Sequence, residues 1–170
     1  VYNEFFGNYP EAWIVKGENN RSALSTDGRS VTLSNQAEKA MVQRSCYIPF
    51  DQTQDYKIEA KMRSYGKNSK AQYGLLFGFQ DWDNYYCFLV SNDGKFAIVG
   101  EYEGVVQWLR SWSYSSTTIH TERDNLLKVF KSDDRFIFAI NGTTVAQTPA
   151  KNLRGNKFGM IANSTGTFVM

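Results

Sequence analysis

The side chains with evident chemical potential are aromatic rings set beside amide groups. Trp108 follows Gln107 in a short apolar run, Trp112 and Tyr114 lie in the polar segment after it, and Trp82 stands in a polar turn. Aromatic faces stack on the C–H faces of a sugar ring, and nearby amides or carboxylates bond to its hydroxyls. The pattern predicts a ligand surface here. The alternatives are that Trp108 fills the core and that Trp82 packs on its own hairpin.

Charged side chains alternate with apolar ones over residues 57–63. Successive side chains of a strand point to opposite faces, so the apolar members are expected to face a core. Glu59, Lys61 and Arg63 then face water or a ligand. They form the second part of the candidate surface.

Catalytic groups are sparse. Hydrolysis of a glycosidic bond needs two carboxylates ~5–10 Å apart. Glu101 and Glu103 are the only glutamates at a spacing of two, and they fall at a strand end beside a turn. His120, the sole histidine, has no serine motif of a nucleophile elbow near it. The sequence therefore predicts no catalytic residues.

Metal and disulfide chemistry are also weakly indicated. Asp81, Asp83 and Asn84 carry the hard oxygen ligands that calcium prefers, but the favoured interpretation is an Asx turn capped by its own side chains. One histidine and two distant cysteines do not make a zinc site, and no cofactor is expected. Cys46 and Cys87 lie in different predicted strands, and buried thiols are favoured over a disulfide.

The elements that must position these residues are strands. Apolar residues recur with a period of two from about residue 30 onward, no window shows sustained helical spacing, and turn dipeptides such as Asn141-Gly142 separate the runs. Residues 111–124 are interpreted as a long surface loop. The predicted strands are 22–26, 30–34, 39–48, 55–65, 72–80, 85–91, 95–102, 105–110, 125–132, 135–140, 143–148 and 156–162.

Composition limits the class of protein. The 170 residues are 42% hydrophobic and carry a net charge of +2, which fits one β-sandwich domain over 1–170 with an ample core. The basic residues are scattered, which argues against nucleic acid as a partner, and the apolar stretches are only strand-length, which argues against membrane insertion. Eight rings are expected to fill the sandwich: Tyr73, Phe77, Phe79, Phe88, Phe96, Phe130, Phe136 and Phe138.

Several of these segments together resemble a known group of domains. They are residues 73–78, 83–94, 125–129, 136–142 and 159–162. Their succession is similar to the concanavalin A-like jelly-roll domains of the laminin-G and glucanase superfamily, and within it to a bacterial branch related to the keto-disaccharide hydrolase domain of unknown function. The resemblance implies a jelly roll of two antiparallel sheets, one of them concave. Relatives close with a further strand, so a truncated C-terminal strand is expected here.

Function follows from the residues and the resemblance together. We expect a non-catalytic binding module, for carbohydrate, on a secreted or cell-envelope protein. The alternatives are a glycoside-processing enzyme domain and a protein-interaction or spacer domain, because domains of one fold serve many functions. The expected partner is a glycan or a protein.

Overall fold

In the part of the chain that the structure describes, fourteen strands form two antiparallel seven-stranded sheets that enclose an aromatic core. The structure is a computed structural model that describes residues 13–17, 22–27, 29–36, 40–44, 51–66, 68–115, 118–151 and 153–170. The strands are β1 Trp13–Gly17, β2 Ser22–Thr26, β3 Val31–Asn35, β4 Ala40–Arg44, β5 Tyr56–Tyr65, β6 Gln72–Asp81, β7 Asn84–Ser91, β8 Lys95–Tyr102, β9 Val105–Tyr114, β10 Asn125–Ser132, β11 Arg135–Ile140, β12 Thr143–Pro149, β13 Lys157–Ala162 and β14 Gly166–Val169.

Strands that are distant in sequence lie side by side in both sheets. Sheet 1 has the order β1-β4-β13-β6-β7-β8-β9, and sheet 2 has the order β12-β11-β10-β5-β14-β3-β2. Within sheet 1, β6 to β9 form a meander of consecutive hairpins that ends at the edge strand β9. The all-β, two-sheet prediction is confirmed.

Tight turns set the hairpin registers. Asn141 and Gly142 have φ values of 50° and 87°, and Glu103 and Gly104 have 50° and 75°. Two successive left-handed residues are what a two-residue hairpin of type I′ requires. The turn predicted at Asn141-Gly142 and the turn predicted beside Glu103 are confirmed.

The main core lies between the two sheets. Sheet 1 contributes Tyr73, Phe77 and Phe88, and sheet 2 contributes Phe136 and Phe138, all of them at most 1% exposed. The rings meet edge-on or tilted, as between Phe88 and Phe138 with centroids 5.2 Å apart, which is the arrangement that aromatic quadrupoles favour.

Two of the eight predicted core rings lie elsewhere. Gly78 has a φ of 61°, and the β6–β7 register shifts between Phe77 and Asp81. A bulge inserts one residue and reverses the face of those after it, so Phe79 packs on the outer side of sheet 1. Phe130 pairs with Lys57 on the outer side of sheet 2 and is partly exposed. The prediction that Phe79 and Phe130 fill the space between the two sheets was wrong.

Three strand predictions are also corrected. β9 continues through Tyr114, so the loop prediction is wrong for residues 111–114. β1 and β14 were not predicted. β14 lies inside sheet 2, between β3 and β5, and Met170 exchanges two backbone hydrogen bonds of 2.9 Å with Val31.

A buried amide fixes the segment that joins β9 to β10. Asn125 is fully buried, and its Nδ2 donates to Tyr73 Oη at 3.0 Å and to the carbonyl of His120 at 2.7 Å. Its Oδ1 accepts from the backbone N–H of His120 and from Asn141 Nδ2 at 2.8 and 2.9 Å. This network holds the turn of the β11–β12 hairpin against the segment.

Candidate functional site

One cross-strand row of side chains shows which residues face outward from sheet 1. Leu76 pairs with Cys87, Cys87 with Val99, and Val99 with Trp108, from β6 to β9. Directly paired residues share a face. Trp108 therefore points away from the main core, and 52% of it is exposed. The alternative that Trp108 fills the core is therefore wrong.

This outer face is apolar, which is unusual for a sheet surface. Six of its side chains are buried in a cluster of their own, and Trp82, Val99 and Trp112 pack against them. The six are Leu76, Phe79, Tyr85, Cys87, Leu89 and Ile161. A water-facing antiparallel sheet normally alternates to polar residues on this side, so this face is specialised.

A groove of about 210 Å³ runs over that cluster. Trp108 and Trp112 come from β9, and Glu101 stands near the end of β8. The full lining of this sheet 1 groove is Gln72, Tyr85, Cys87, Leu89, Val99, Glu101, Val106, Trp108, Trp112, Ile161 and Asn163.

A short hydrogen bond lies in the groove at the β7–β8 pair. Tyr85 Oη donates to Glu101 Oε2 at 2.6 Å. Burial, together with this bond, raises the pKa of the Tyr85 hydroxyl well above its usual range, so it stays a neutral donor. Glu101 is the one carboxylate among the described groove residues.

Tyr114 stands nearer the other end of β9, where it pairs with Lys95. The ring is 75% exposed, and Lys95 Nζ lies 4.9 Å from its centroid. Lys95 also binds Asp93, which accepts a second bond from Ser91 Oγ. The Lys95 hydrogen bond, then that of Ser91, lowers the pKa of the Asp93 carboxyl. The exposed ring therefore lies beside a charged pair.

Two other predicted ligand residues take different positions. Trp82 packs edge-on against Phe79 of the preceding strand, with centroids 5.0 Å apart, which confirms the hairpin-packing alternative. Gln107 does not line the groove, and its Oε1 accepts from Lys151 Nζ at 3.2 Å.

The charged strand lies on the other sheet. Glu59, Lys61 and Arg63 project from β5 on the outer side of sheet 2, so they cannot share a site with the rings of β9. Glu59 binds Lys128 at 3.1 Å, and Asp124 binds Arg63 and Lys61 at 2.7 and 3.4 Å. The predicted alternation of charged and apolar residues in β5 is confirmed. The prediction that these charged residues form one surface with the rings is wrong. A separate role in ligand binding stays a prediction.

The calcium candidates form a self-capped turn. Asp81 Oδ1 accepts from the backbone N–H of Asp83 at 3.0 Å and from Asn84 Nδ2 at 2.9 Å. Asn84 Oδ1 accepts from the backbone N–H of Glu103 at 3.2 Å. Within the described ranges, no group of three or more acidic, histidine or cysteine side chains could hold a metal ion.

The remaining candidates stay apart from the groove. Glu103 occupies the left-handed turn after β8, and exposed His120 places Nδ1 3.3 Å from the carbonyl oxygen of Asp124. Cys87 is buried, whereas Cys46 lies outside the described residues, so the disulfide question stays a prediction. No helix in the described part of the chain is long and apolar enough to cross a membrane.

Sequence reasoning missed three polar groups of the groove: Gln72, Tyr85 and Asn163. Gln72 and Asn163 are neighbours because the backbone N–H of Asn163 donates to the Gln72 carbonyl at 2.9 Å. Only the pairing of β6 with β13 brings them together, and no local pattern encodes it. Tyr85 had a signal, since it alternates with Cys87 and Leu89 on one face of β7.

Comparison by sequence gives no relatives. No protein-family model matches the chain, and no curated protein matches it in sequence. Its likeness to known proteins rests on the fold.

Solved structures give clear matches at low identity. The carbohydrate binding module CBM66 from Bacillus subtilis superposes with a TM-score of 0.68 at 15% identity, covering 94% of this chain and 91% of that one. The carbohydrate recognition domain of Emp46p gives 0.67 at 9% identity, covering 96% and 88%. A family 16 endo-glucanase from Bacteroides ovatus gives 0.60 at 7% identity, covering 94% and 93%.

These matches show the concanavalin A-like jelly-roll fold of lectins and glucanases, as the sequence resemblance implied. The fold hosts binding modules and hydrolases alike, so it does not by itself decide the activity. The predicted likeness to the keto-disaccharide hydrolase branch stays a prediction.

Proposed function

We propose that this protein is a non-catalytic carbohydrate-binding module whose ligand lies in the sheet 1 groove. The rings of Trp108 and Trp112 would stack on the C–H faces of the sugar, with Tyr114 extending the platform along β9. Polar groups at the groove would bond to the substituents of the ring. The solved structures of a binding module and a lectin domain with this fold support the proposal.

One observation carries the proposal. Among the described residues, five large hydrophobic side chains are exposed, and four of them lie on β9: Val105, Val106, Trp108 and Tyr114. Clustered exposed apolar groups mark binding surfaces in otherwise soluble domains. Trp108 and Val106 also line the groove, which joins the exposed patch to a concavity.

The hydrolase alternative is weaker on the same geometry. A glycosidase of the usual kind places two carboxylates across the scissile bond, and Glu101 alone faces the groove among its described lining residues. The protein-interaction alternative has one observation in its favour: β9 is the edge of sheet 1, and an apolar edge strand of ten residues can accept an added strand.

A secreted or cell-envelope location belongs to the same proposal, because extended glycans are found there. The proposal requires neither calcium nor another cofactor.

A glycan array, printed with and without calcium and followed by calorimetry on each hit, tests the function. Saturable binding to a sugar class is expected, and the Trp108→Ala variant should weaken it. Tyr65→Ala is the matched control, since that ring is 49% exposed on the outer side of sheet 2. A blank array would contradict the proposal and favour a protein-interaction or spacer role.

A further inference from the structure

The floor of the groove is poorly suited to a sugar that carries only hydroxyl groups. Cys87, Leu89 and Ile161 are at most 2% exposed, and Val99 packs beside them. A hydroxyl pressed against such a floor loses its bonds to water and gains none, at a cost of a few kcal/mol. An apolar substituent gains from the same contact. A good ligand therefore carries a small apolar group.

An acceptor without a partner lines the same groove. Asn163 Oδ1 is buried and has no hydrogen-bond partner among the described residues. A buried amide oxygen left unpaired is costly. The χ2 torsion of asparagine is soft, and Asn163 lines the groove, so a rotation about χ2 would bring this oxygen to the groove, where it would accept an N–H or O–H from a ligand.

Gln72 is placed to complete the polar contact. It lines the groove next to Asn163, and its backbone N–H donates to Ser164 Oγ at 3.0 Å. Asn35 Nδ2 donates to the Ser164 carbonyl at 2.8 Å, which holds the β13–β14 turn in place. A donor amide from Gln72 and an acceptor amide from Asn163 thus stand side by side on a fixed backbone.

We propose that the groove selects sugars bearing an acetamido group. The methyl of the acetamido group lies on the floor formed by Leu89 and Ile161. The N–H of the acetamido group donates to Asn163 Oδ1, and its carbonyl accepts from the Gln72 amide. This inference rests on the proposed function and narrows its ligand class. A secondary amide is the small substituent that offers a methyl, a donor and an acceptor at once.

The experiment compares three tetrasaccharides with the same β-1,4 linkage that differ only at C2: cellotetraose with hydroxyls, chitotetraose with acetamido groups, and its deacetylated form with amines. Each is titrated into the full chain by calorimetry, beside an array of further sugar pairs with and without acetamido groups. We expect at least tenfold tighter binding of acetamido sugars, the equivalent of one hydrogen bond or more.

Variants assign the effect to the amide pair. Asn163→Ala should lower affinity for the acetamido sugar about tenfold and leave any plain-sugar binding unchanged. Asn156→Ala, before β13 and away from the groove lining, is the matched control and should change neither affinity. Thermal melting of both variants checks that each one folds.

The outcomes separate the two proposals. Equal binding of plain and acetamido sugars would overturn the acetamido inference and leave the carbohydrate-binding function standing. Preference for the amine form would also overturn it and would point to Glu101 as the dominant contact. Absence of binding to every sugar, on titration and array, would overturn both.

Discussion

The outer faces of the two sheets differ although both belong to alternating strands. On sheet 2, the outward side chains of β5 from Lys57 to Arg63 are charged and already paired within the protein, as in the Glu59–Lys128 and Arg63–Asp124 bridges. On sheet 1, the outward side chains of β6 to β9 are apolar and aromatic, and they border a groove. A face whose charged groups already pair with one another offers few contacts to a ligand. Exposed rings over a concavity remain available for binding.

The largest expected effect distinguishes the faces by stability. Phe79 is 2% exposed in the outer cluster of sheet 1, so Phe79→Ala should lower the free energy of unfolding by about 3–5 kcal/mol. Phe130 is the matched ring on the outer side of sheet 2 and is partly exposed, so Phe130→Ala should cost only about 1 kcal/mol. Urea denaturation measures both, and equal losses would contradict a distinct second core.

The next effect distinguishes the faces by binding. Trp108→Ala should weaken binding of any array hit by about 2 kcal/mol, the scale of a binding hot spot. The free energy of unfolding should fall by only about 1 kcal/mol, as for Phe130→Ala, because half of Trp108 is already exposed. Calorimetry and urea denaturation of Tyr65→Ala provide the comparison, with binding expected to stay unchanged and stability to fall by a similarly small amount. A large loss of stability for Trp108→Ala would move that ring into the core.

Prediction from sequence succeeded where local pattern decides the structure. The alternation of β5 gave its two faces correctly, and Asn141-Gly142 gave its hairpin. Each depends on a few neighbouring residues whose preferences agree. The turn at Trp82 was likewise placed correctly.

Prediction failed where distant pairing or a single irregularity decides. Glu59 and Trp108 lie on opposite sheets. The order of the strands determines this placement, and no local pattern encodes that order. The bulge at Gly78 reversed Phe79, which a strict period of two places in the core. The serine neighbours of Trp112 favour a loop by their polarity, although serines alternating with rings also fit an edge strand.

A smaller effect concerns the ion pairs of sheet 2. The hydrogen bond from Lys128, with a further one from Lys57, lowers the pKa of the Glu59 carboxyl below its ordinary 4.5. A carboxyl with a lowered folded pKa contributes stability that is present above pH 4.5 and is lost as the pH falls through the folded value. Since the pair is partly exposed, Glu59→Gln should cost less than about 1 kcal/mol at pH 7.

Denaturation of Glu59→Gln at pH 7 and at about pH 2–3 checks this, since the difference from wild type should vanish once the carboxyl is protonated. Asp134→Asn is the control, because that side chain is 92% exposed and should show no difference at either pH. A pH-independent cost for Glu59→Gln would show that packing rather than charge is responsible.

The smallest expected effect is that of calcium. Asp81 already accepts two hydrogen bonds within its own turn, so calcium should leave the melting temperature and glycan binding unchanged. A rise in melting temperature with calcium, abolished by Asp81→Ala, would restore the metal hypothesis for this hairpin.

Chemical-shift mapping on the labelled protein, titrated with the tightest array hit, tests the central claim most directly. If sheet 1 carries the ligand, the backbone amides that shift will cluster on β7, β8 and β9 around Trp108, and on Gln72 and Asn163 across the groove. Shifts centred instead on β5 and β10, around Glu59 and Lys128, would contradict the account and assign the ligand to the charged face of sheet 2.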